Sequence, residues 1–415
     1  MAGDSPSAGS SGDPVTVDRD LAEPWPLDRN VVFLNHGSFG ACPREVLRHQ
    51  AALRDEMETQ PVRFLSRELD DRLDAARGVL AAFVGADADD LAFVTNATSG
   101  VNAVLRSLTF SPGDELLTTD HAYAACRNAL TFVAGRAGAQ VVVAKVPFPV
   151  ASADEIVDAV MRGVTSRTRL ALLDHITSPT ALVLPIERLT AELGERSVEV
   201  LVDGAHAPGM VPLALRDLGA AYYSGNCHKW LCAPKGSGFL WVRRDRRADI
   251  RPLTISHGAS ATRPGRSRFR LEFDWTGTSD PTPWLAVPKA IDYLGSLLLG
   301  GWPAVMARNH ELALEARRLL CTAVGSPPPC PDEMIGSLAS VPLPDGRAAE
   351  ISWGRPDPLQ RRLFDGWGIE VPVVSWPAAP RRLVRVSAQL YNCREQYARL
   401  AEALGQELAA EHLSR

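Results

Sequence analysis

The sequence predicts an α/β fold in which a mostly parallel, seven-stranded sheet is flanked by helices, with a smaller α/β domain on the C-terminal side. Seven short apolar runs, each about as long as a strand, are mostly separated by stretches of helical character. Many runs are apolar at consecutive positions, as expected of strands that are buried on both faces of a parallel sheet. After residue 251 this alternation stops, which sets a second region apart from the sheet.

A helical segment over 43–84 comes first, because apolar residues recur there at helical spacing. The predicted strands then follow at 91–95, 115–119, 140–144, 170–174, 198–203, 221–224 and 238–242. The last two runs lie close together in the sequence, so a short connection allows one of them to be antiparallel.

The region after the last strand is predicted to begin with a loop rich in glycine and arginine, over 258–270. Helices at 284–299 and 303–321 follow, and a proline cluster at 327–331 breaks the chain. Residues 336–404 then carry short strands and a terminal helix.

These patterns divide the chain into three parts. Residues 1–20 are mostly Gly, Ser, Pro and Asp and are expected to form a disordered tail. Residues 21–284 form an N-terminal segment and a large domain, and residues 285–415 form a small C-terminal domain.

Composition excludes several classes of protein. The 415-residue chain has a net charge of −5, which gives no electrostatic basis for binding nucleic acid or an anionic membrane. It contains no uninterrupted apolar run of 18 residues and no apolar run near the N-terminus, so we expect neither a membrane span nor a secretory signal. The seven cysteines are scattered without a CxxC pair, which is typical of free thiols in the cytoplasm.

The common nucleotide, hydrolase and zinc-protease motifs are absent from the sequence. Several of the nine histidines flank predicted strands, but their spacing is too wide for a metal site, so no metal is expected.

Three other features carry chemistry. The first is Asp203, at the end of a predicted buried strand. A carboxylate in that position needs a positive charge or hydrogen-bond donors. For a lone Asp, a helix cap or a loop ion pair is the more common explanation.

The second feature is Lys229, which lies among apolar and aromatic residues and is one of only four lysines in the chain. A lysine in apolar surroundings has a lowered pKa and becomes an amine nucleophile. The ordinary alternative is a surface lysine with a buried stem. Lys235 competes for the role, although its glycine-rich context indicates a turn.

The third feature is the segment NATSGVNAVL, directly after the strand at 91–95. A helix that begins there would point free N–H groups and its positive dipole end at a phosphate. The alternative is an ordinary helix N-cap. Together the three features match the needs of pyridoxal 5′-phosphate (PLP), namely a phosphate cradle, a carboxylate for the ring nitrogen and a lysine for the imine.

Six motifs also resemble the class V aminotransferase group of fold-type I PLP enzymes, and within it the isopenicillin N epimerase-like branch. The motifs are FLNHGSFGACP (33–43), TNATSGVNAVL (95–105), DGAHAPG (203–209), GNCHKWLCAPKGSGFLWV (225–242), TGTSD (276–280) and RVSAQLYN (385–392). The resemblance covers about residues 25 to 405 and implies a fold-type I PLP transferase fold, with the cofactor bound in the large domain.

The resemblance implies roles around the cofactor ring. Lys229 would hold PLP as an imine and then act as the base, and Asp203 would pair with the pyridine nitrogen. His206 would lie on the ring-hydroxyl side, and Tyr123 would cover the ring. The candidates for a donor to the ring oxygen are Thr177 and Ser178.

It also implies how the phosphate is held. Ala97 and Thr98 would cradle it, with help from His228. Thr278 would reach the phosphate of the neighbouring subunit, which implies a homodimer with shared active sites.

For the substrate, the resemblance implies that Arg385 clamps the carboxylate through its bidentate fork. Asn35 and His36 would line the mouth of the site, and Arg63 would reach a site from the partner chain. The arginine-rich stretch over 251–270 is either a solvated basic loop or a mouth for an anionic or sugar-bearing substrate.

When a bond at Cα of a PLP-bound amino acid is broken, a carbanion remains at that carbon, and it can react in several ways. We expect β-elimination by a C–S lyase on an S-substituted cysteine, in secondary metabolism such as antibiotic biosynthesis, because elimination needs one base and a good leaving group. Epimerisation needs a second acid on the opposite face, for which Tyr123, His36 and Cys42 are candidates. A decarboxylating or oxidatively deaminating enzyme and a PLP-binding protein without turnover remain open. Cysteine desulfurase is disfavoured because the segment before Arg385 contains no cysteine.

Overall fold

The computed structural model describes residues 21–346 and 356–413, so the predicted tail at 1–20 lies outside the described residues. The strands are β1 (Val32–Phe33), β2 (Leu91–Val94), β3 (Glu115–Thr119), β4 (Gln140–Ala144), β5 (Thr168–Asp174), β6 (Glu199–Gly204), β7 (Tyr222–Asn226), β8 (Gly238–Val242), β9 (Leu338–Leu343), β10 (Ile369–Glu370), β11 (Val373–Ser375) and β12 (Arg382–Ser387). The helices are α1 (His36–Phe39), α2 (Arg44–Thr59), α3 (Leu69–Val84), α4 (Ala97–Ser107), α5 (Ala124–Ala137), α6 (Ala153–Met161), α7 (Ile186–Glu195), α8 (Arg268–Asp274), α9 (Thr282–Leu285), α10 (Val287–Ser296), α11 (Gly301–Val324), α12 (Pro358–Trp367) and α13 (Arg394–Leu413).

The seven predicted runs form one sheet in the order β2-β8-β7-β6-β5-β3-β4. The strands from β7 to β4 are parallel, and β8 is antiparallel to both of its neighbours. This confirms the predicted fold class, including an antiparallel strand in the closely spaced pair.

Strand β5 shows why the runs are apolar at consecutive positions. Its side chains alternate between two apolar clusters, with Leu170 and Leu172 in one and Ala171 and Leu173 in the other. Helices α4, α5 and α8 contribute to the first cluster, and α3, α6 and α7 contribute to the second. The sheet is therefore covered on both faces, as parallel sheets require.

A second, antiparallel sheet has the order β11-β12-β9 and carries Arg385 on its central strand. Strand β1 pairs in parallel with β10, which joins the N-terminal segment to the C-terminal region. The predicted helical segment over 43–84 consists of α2, a π-helical turn (Arg63–Glu68) and α3.

The predicted arginine-rich loop ends in helix α8 rather than continuing as a loop to residue 270. Each arginine in this stretch pairs with a carboxylate of the same chain: Arg251 and Arg268 with Glu272, Arg263 with Asp70, Arg266 with Asp74, and Arg270 with Asp74, Asp89 and Asp274. These pairs argue against an open mouth for an anionic substrate.

Within the described ranges, no single helix is long and apolar enough to cross a membrane. One pair, Thr282–Ser296 with Gly301–Val324, passes the length and composition test together, and it is bent by 71°.

Candidate active site

The carboxyl ends of β5, β6 and β7 meet at one edge of the sheet, where parallel α/β folds place their ligands. A cavity of about 480 Å³ opens there. Its lining is Ser38, Phe39, Asn96, Thr98, Ser99, Tyr123, Asp174, Ile176, Ser178, Asp203, Ala205, His206, Asn226, His228 and Lys229.

Lys229 follows β7 in a tight loop that is held from behind by the N-terminal segment. Gly40, with φ of 72°, passes so close that an added Cβ would lie 2.1 Å from the His228 carbonyl oxygen. Burial, followed by the nearby guanidinium of Arg385, lowers the pKa of Lys229 to about 8. A lysine with this pKa supplies a neutral amine near neutral pH, as imine chemistry and base catalysis require.

Two carboxylates lie side by side in the lining of the same cavity. Asp174 and Asp203 are paired residues of β5 and β6, so their side chains occupy the same face of the sheet. Asp203 Oδ2 accepts a hydrogen bond from Cys126 Sγ at 2.9 Å, and Oδ1 accepts one from the Ala205 amide at 3.0 Å. Burial raises the pKa of both carboxyl groups, and for Asp174 the charge of Asp203 raises it further.

Asp174 Oδ2 accepts a hydrogen bond from the Tyr123 amide, while Oδ1 is buried and lacks a partner among the described residues. A buried carboxylate oxygen without a donor is costly. This edge of the sheet is therefore suited to a ligand with a protonated nitrogen.

His206 connects the lysine to the core. Its Nε2 lies 3.1 Å from Lys229 Nζ, and its Nδ1 lies 3.3 Å from Trp230 Nε1. Burial, followed by the charge of Lys229, lowers the pKa of His206 well below its usual range. His206 is therefore a neutral imidazole beside the lysine amine.

The predicted phosphate end is the N-terminus of α4, where Asn96 caps the Ser99 amide at 2.8 Å. Ala97 does not line the cavity, and its amide donates to Asn226 Oδ1 at 2.8 Å. Thr98 does line it, at a helical position whose N–H has no intrahelical acceptor. His228 also lines it, with Nδ1 2.8 Å from the Ser237 carbonyl oxygen.

Arg385, on β12, lies directly behind the lining and contacts Ser178 and Ser38, which do line the cavity. Its Nη1 donates to the Ser178 carbonyl at 2.7 Å and to Ser178 Oγ at 3.0 Å, and its Nη2 donates to Ser38 Oγ at 3.0 Å. Its Nε is buried without a partner among the described residues. Burial lowers the pKa of Arg385 to about 10, since no hydrogen-bonded carboxylate offsets it. A buried cation that lacks an anion is suited to bind a carboxylate.

Tyr123 lines the cavity and is 43% exposed, at the start of α5. Of the two candidates for a ring-oxygen donor, Ser178 lines the cavity but Thr177 does not. Thr177 Oγ1 is instead bonded within its own turn, to Thr180 Oγ1 at 2.7 Å and to the Leu182 amide at 2.8 Å.

His36 does not line the mouth of the site, so this expectation was wrong. The one-turn helix α1 directs the ring inward, where Nδ1 lies 2.9 Å from Tyr391 Oη and Nε2 lies 3.0 Å from the Lys229 carbonyl oxygen. Asn35 is also outside the lining, and its amide donates to Glu370 Oε1 at 3.1 Å. Both residues position the wall of the cavity rather than face it.

Arg63 and Thr278 do not line the cavity of their own chain. Arg63 pairs with Glu68 at 3.2 Å, and Thr278 is exposed. Within residues 21–346 and 356–413, no group of three or more His, Cys, Asp or Glu residues is arranged to hold a metal ion.

The sequence analysis missed several lining residues, among them Asp174, Asn226 and Phe39. Asp174 and Asn226 end buried strands, which is the same pattern that indicated Asp203. The position of Phe39 depends on how the N-terminal segment folds back, and its local sequence carries no such pattern.

The donor set fits PLP. An amine of lowered pKa, a buried carboxylate and a helix N-terminus share one cavity. Lys229, Asp203 and the first turn of α4 would hold the aldehyde carbon, the ring nitrogen and the phosphate, respectively.

The chain is similar to named enzymes over most of its length. The class V aminotransferase family matches residues 38–325. Isopenicillin N epimerase of Amycolatopsis lactamdurans is 38% identical over 392 residues, which cover 91% of this chain and 95% of that protein. A probable chloroplastic L-cysteine desulfhydrase of Arabidopsis thaliana is 32% identical, covering 91% of this chain and 83% of that protein. Hercynylcysteine sulfoxide lyase of Schizosaccharomyces pombe is 25% identical, and the match covers 79% of this chain and 85% of that protein.

Solved structures share the fold at lower identity. The cystine C–S lyase C-DES in complex with cysteine persulfide has a TM-score of 0.74 at 21% identity, covering 91% of this chain and 98% of that chain. Cysteine desulfurase from Thermococcus onnurineus has a TM-score of 0.77 at 17% identity, and the match covers 96% of this chain and 99% of that chain. Sequence matches over most of the chain agree with the chemistry of the cavity, and the chain belongs to the class V aminotransferase family of fold-type I enzymes, with pyridoxal 5′-phosphate as cofactor.

Proposed function

We propose that this enzyme is a C–S lyase that carries out β-elimination on an S-substituted cysteine. The observation that supports elimination over epimerisation is the position of the candidate acids. Of the three candidates for the second acid, His36 and Cys42 do not line the cavity, and burial raises the pKa of Cys42 to about 12. Elimination needs only the base that Lys229 provides.

PLP supplies, when bound, an electron sink for the pair left at Cα. Arg385 binds the substrate carboxylate and thereby fixes which Cα bond is aligned for cleavage. Lys229 Nζ would take the Cα proton, a Cα–Cβ double bond would form as the β-sulfur departs, and the thiolate would take a proton from the Lys229 ammonium. Water would then hydrolyse the enamine product to pyruvate and ammonia. Asp203 keeps a proton on the ring nitrogen through its buried carboxylate.

The desulfurase reaction is disfavoured on the same geometry. That reaction needs a nucleophilic thiol facing the substrate, and no cysteine belongs to the lining formed by the described residues. Cys126, the thiol near the site, is buried behind Asp203 and donates its hydrogen bond there.

Epimerisation is the second candidate. Tyr123 lines the cavity and carries a hydroxyl able to protonate the face opposite the lysine. The 38% identity to an isopenicillin N epimerase also favours it.

Product analysis in heavy water separates the candidates. The purified holoenzyme is incubated with S-substituted cysteines, with Lys229→Ala as the control that lacks the base. Pyruvate, ammonia and thiol are expected from the wild type. Deuterated but otherwise unchanged amino acid would establish the epimerase, a product lacking carbon dioxide would establish the decarboxylating alternative, and no change would leave a PLP-binding protein without turnover.

We further propose a homodimer with shared sites, located in the cytoplasm and acting in secondary metabolism. Thr278 is exposed and lies outside its own cavity, as expected of a residue that serves the partner. Sedimentation should give twice the chain mass of 44.8 kDa, and Thr278→Ala should weaken PLP affinity. A monomer, or unchanged PLP affinity in the variant, would contradict shared sites.

A further inference from the structure

Trp230 follows the active lysine directly, and its side chain turns back toward the site. The indole is buried with a relative exposure of 1%, and its ring centroid lies 4.8 Å from that of His36. Its Nε1 donates to His206 Nδ1 at 3.3 Å, and His206 Nε2 lies 3.1 Å from Lys229 Nζ. Three consecutive polar groups are therefore aligned from the core to the lysine amine.

This alignment determines where the proton of His206 lies. An indole N–H is a donor and has no acceptor. Nδ1 of His206 must therefore accept, so a neutral imidazole carries its hydrogen on Nε2. The nitrogen that faces Lys229 is then a donor.

We propose that Trp230 is a positioning residue that fixes the tautomer of His206, so that Nε2–H donates toward the Lys229 amine. The amine is then the acceptor and must be unprotonated. If Lys229 were protonated, its ammonium would face the Nε2–H group of His206, and two donors would oppose each other. The imidazole hydrogen could avoid this only by moving to Nδ1, where it would oppose the indole N–H of Trp230. Trp230 thus disfavours a protonated lysine without touching it.

Other groups act on the same pair. Arg385 opposes the positive charge on Lys229, whereas Asp203, Cys126 and Asp174 favour it. Around His206, the charges of Lys229, Arg385, His36 and His228 all disfavour the imidazolium. Two hydrogen bonds are described for the His206 ring, one to each nitrogen. The bond at Nε2 can run in either direction, because Lys229 Nζ donates when protonated and accepts when neutral, whereas the indole N–H at Nδ1 can only donate.

The direct test is ¹⁵N NMR of the histidine-labelled holoenzyme, with the His206 signals assigned by their loss in His206→Gln. Pyridine-like and pyrrole-like nitrogens differ in chemical shift. The expected pattern has a pyridine-like Nδ1 and a pyrrole-like Nε2. A protonated Nδ1 in the wild type would overturn the proposal.

Trp230→Phe keeps an aromatic ring in the core and removes the donor. The variant should show a mixture of His206 tautomers, and an unchanged ε-tautomer would overturn the role of Trp230. Trp367→Phe is the matched control, because its indole donates to Glu407 at 3.1 Å, away from the cavity.

A second measurement reports on the lysine. The full-length chain, stripped of cofactor, captures PLP only through its neutral amine, so the capture rate rises with the fraction of unprotonated Lys229. In Trp230→Phe the midpoint of this pH profile should move to higher pH, while Trp367→Phe should match the wild type. A midpoint that stays in place or moves to lower pH would overturn the proposal, whichever reaction the enzyme performs.

Discussion

Arg385 shows how one buried residue prepares a site for substrate. Its guanidinium group donates hydrogen bonds to Ser178 and Ser38, which are uncharged acceptors. These bonds fix the orientation of the group but do not neutralise its positive charge. In the proposed role, a substrate carboxylate would supply the missing anion and exchange these bonds for charge-assisted ones.

Replacement of the Arg385 guanidinium should weaken substrate binding and leave cofactor binding unchanged. Arg385→Lys keeps a cation but loses bidentate geometry, so KM should rise about 10- to 100-fold, given roughly 1.5–3 kcal/mol for a hydrogen bond to a charged group. The imine absorbance of the bound cofactor should remain. The control is Arg317→Lys, a buried arginine that pairs with Asp332 and whose loss should lower stability but leave KM unchanged. Loss of cofactor from Arg385→Lys would contradict the clamp.

At this scale, sequence reasoning succeeded where a short motif places a residue at a strand end. Asp203, Lys229 and His206 were predicted as one site, and all three line the same cavity. His36 was misplaced because the direction of a side chain in a one-turn helix depends on tertiary packing. Trp230 was missed because its partner is set by how the chain turns back after the lysine, which its own sequence does not show.

At the scale of elements, helix α4, whose first turn would hold the phosphate, lies very close to the sheet. At Gly100 the helix lies against β7, where an added Cβ would be 2.1 Å from Ser224 Oγ. The Ser224 hydroxyl is itself bonded to the Ala97 carbonyl at 3.1 Å, so the contact has little freedom to relax. The glycine is therefore required for packing.

Two glycine-to-alanine changes in helices should have opposite effects. Gly100→Ala should lower the free energy of unfolding by about 1–3 kcal/mol through overpacking, and it should weaken PLP affinity by moving the start of α4. Gly135→Ala, in α5, meets open space and should stabilise by about 0.5–1 kcal/mol. Urea unfolding and PLP titration measure both. Equal effects of the two changes would show that α4 does not depend on this contact.

The order of elements was predictable because apolar runs of strand length alternate with helical spacing. The arginine-rich stretch was harder to interpret. Its carboxylate partners Asp70, Asp74 and Asp89 lie far away in sequence, and only the folded chain brings them to Arg263, Arg266 and Arg270. Pairing between distant charges has no periodic pattern in the sequence.

For the whole molecule, His36 is a junction between three parts of the chain. It belongs to the N-terminal segment, contacts the Lys229 carbonyl in the large sheet region, and contacts Tyr391 near the C-terminal sheet. Burial, only partly offset by the hydrogen bond to Lys229, lowers the pKa of His36 to about 3.

This junction should make stability depend on pH. Between pH 6.5 and about 3 the unfolded chain binds a proton at residue 36 that the folded chain does not, so this contribution is present above 6.5 and is lost as the pH falls. The His36→Gln variant has no such loss. The difference in unfolding free energy between the wild type and this less stable variant should therefore shrink by about 2 kcal/mol between pH 7.5 and 5. Urea unfolding of both proteins at pH 7.5 and 5 measures the difference. Parallel pH profiles would mean that the pKa of His36 is the same in the folded and the unfolded chain.

The pairing of β1 with β10 also bears on the order in which the chain becomes functional during synthesis. His36 and Tyr391 are 355 residues apart, yet both help to hold the wall behind the lysine. A growing chain can form the large sheet and expose Lys229 well before Arg385 and Tyr391 leave the ribosome, because domains fold as their residues emerge. Until then the reactive amine lacks its proposed substrate clamp and the contact by which Tyr391 supports His36 behind it. The assembly order therefore delays selective chemistry at Lys229 until both distant segments of the polypeptide have met.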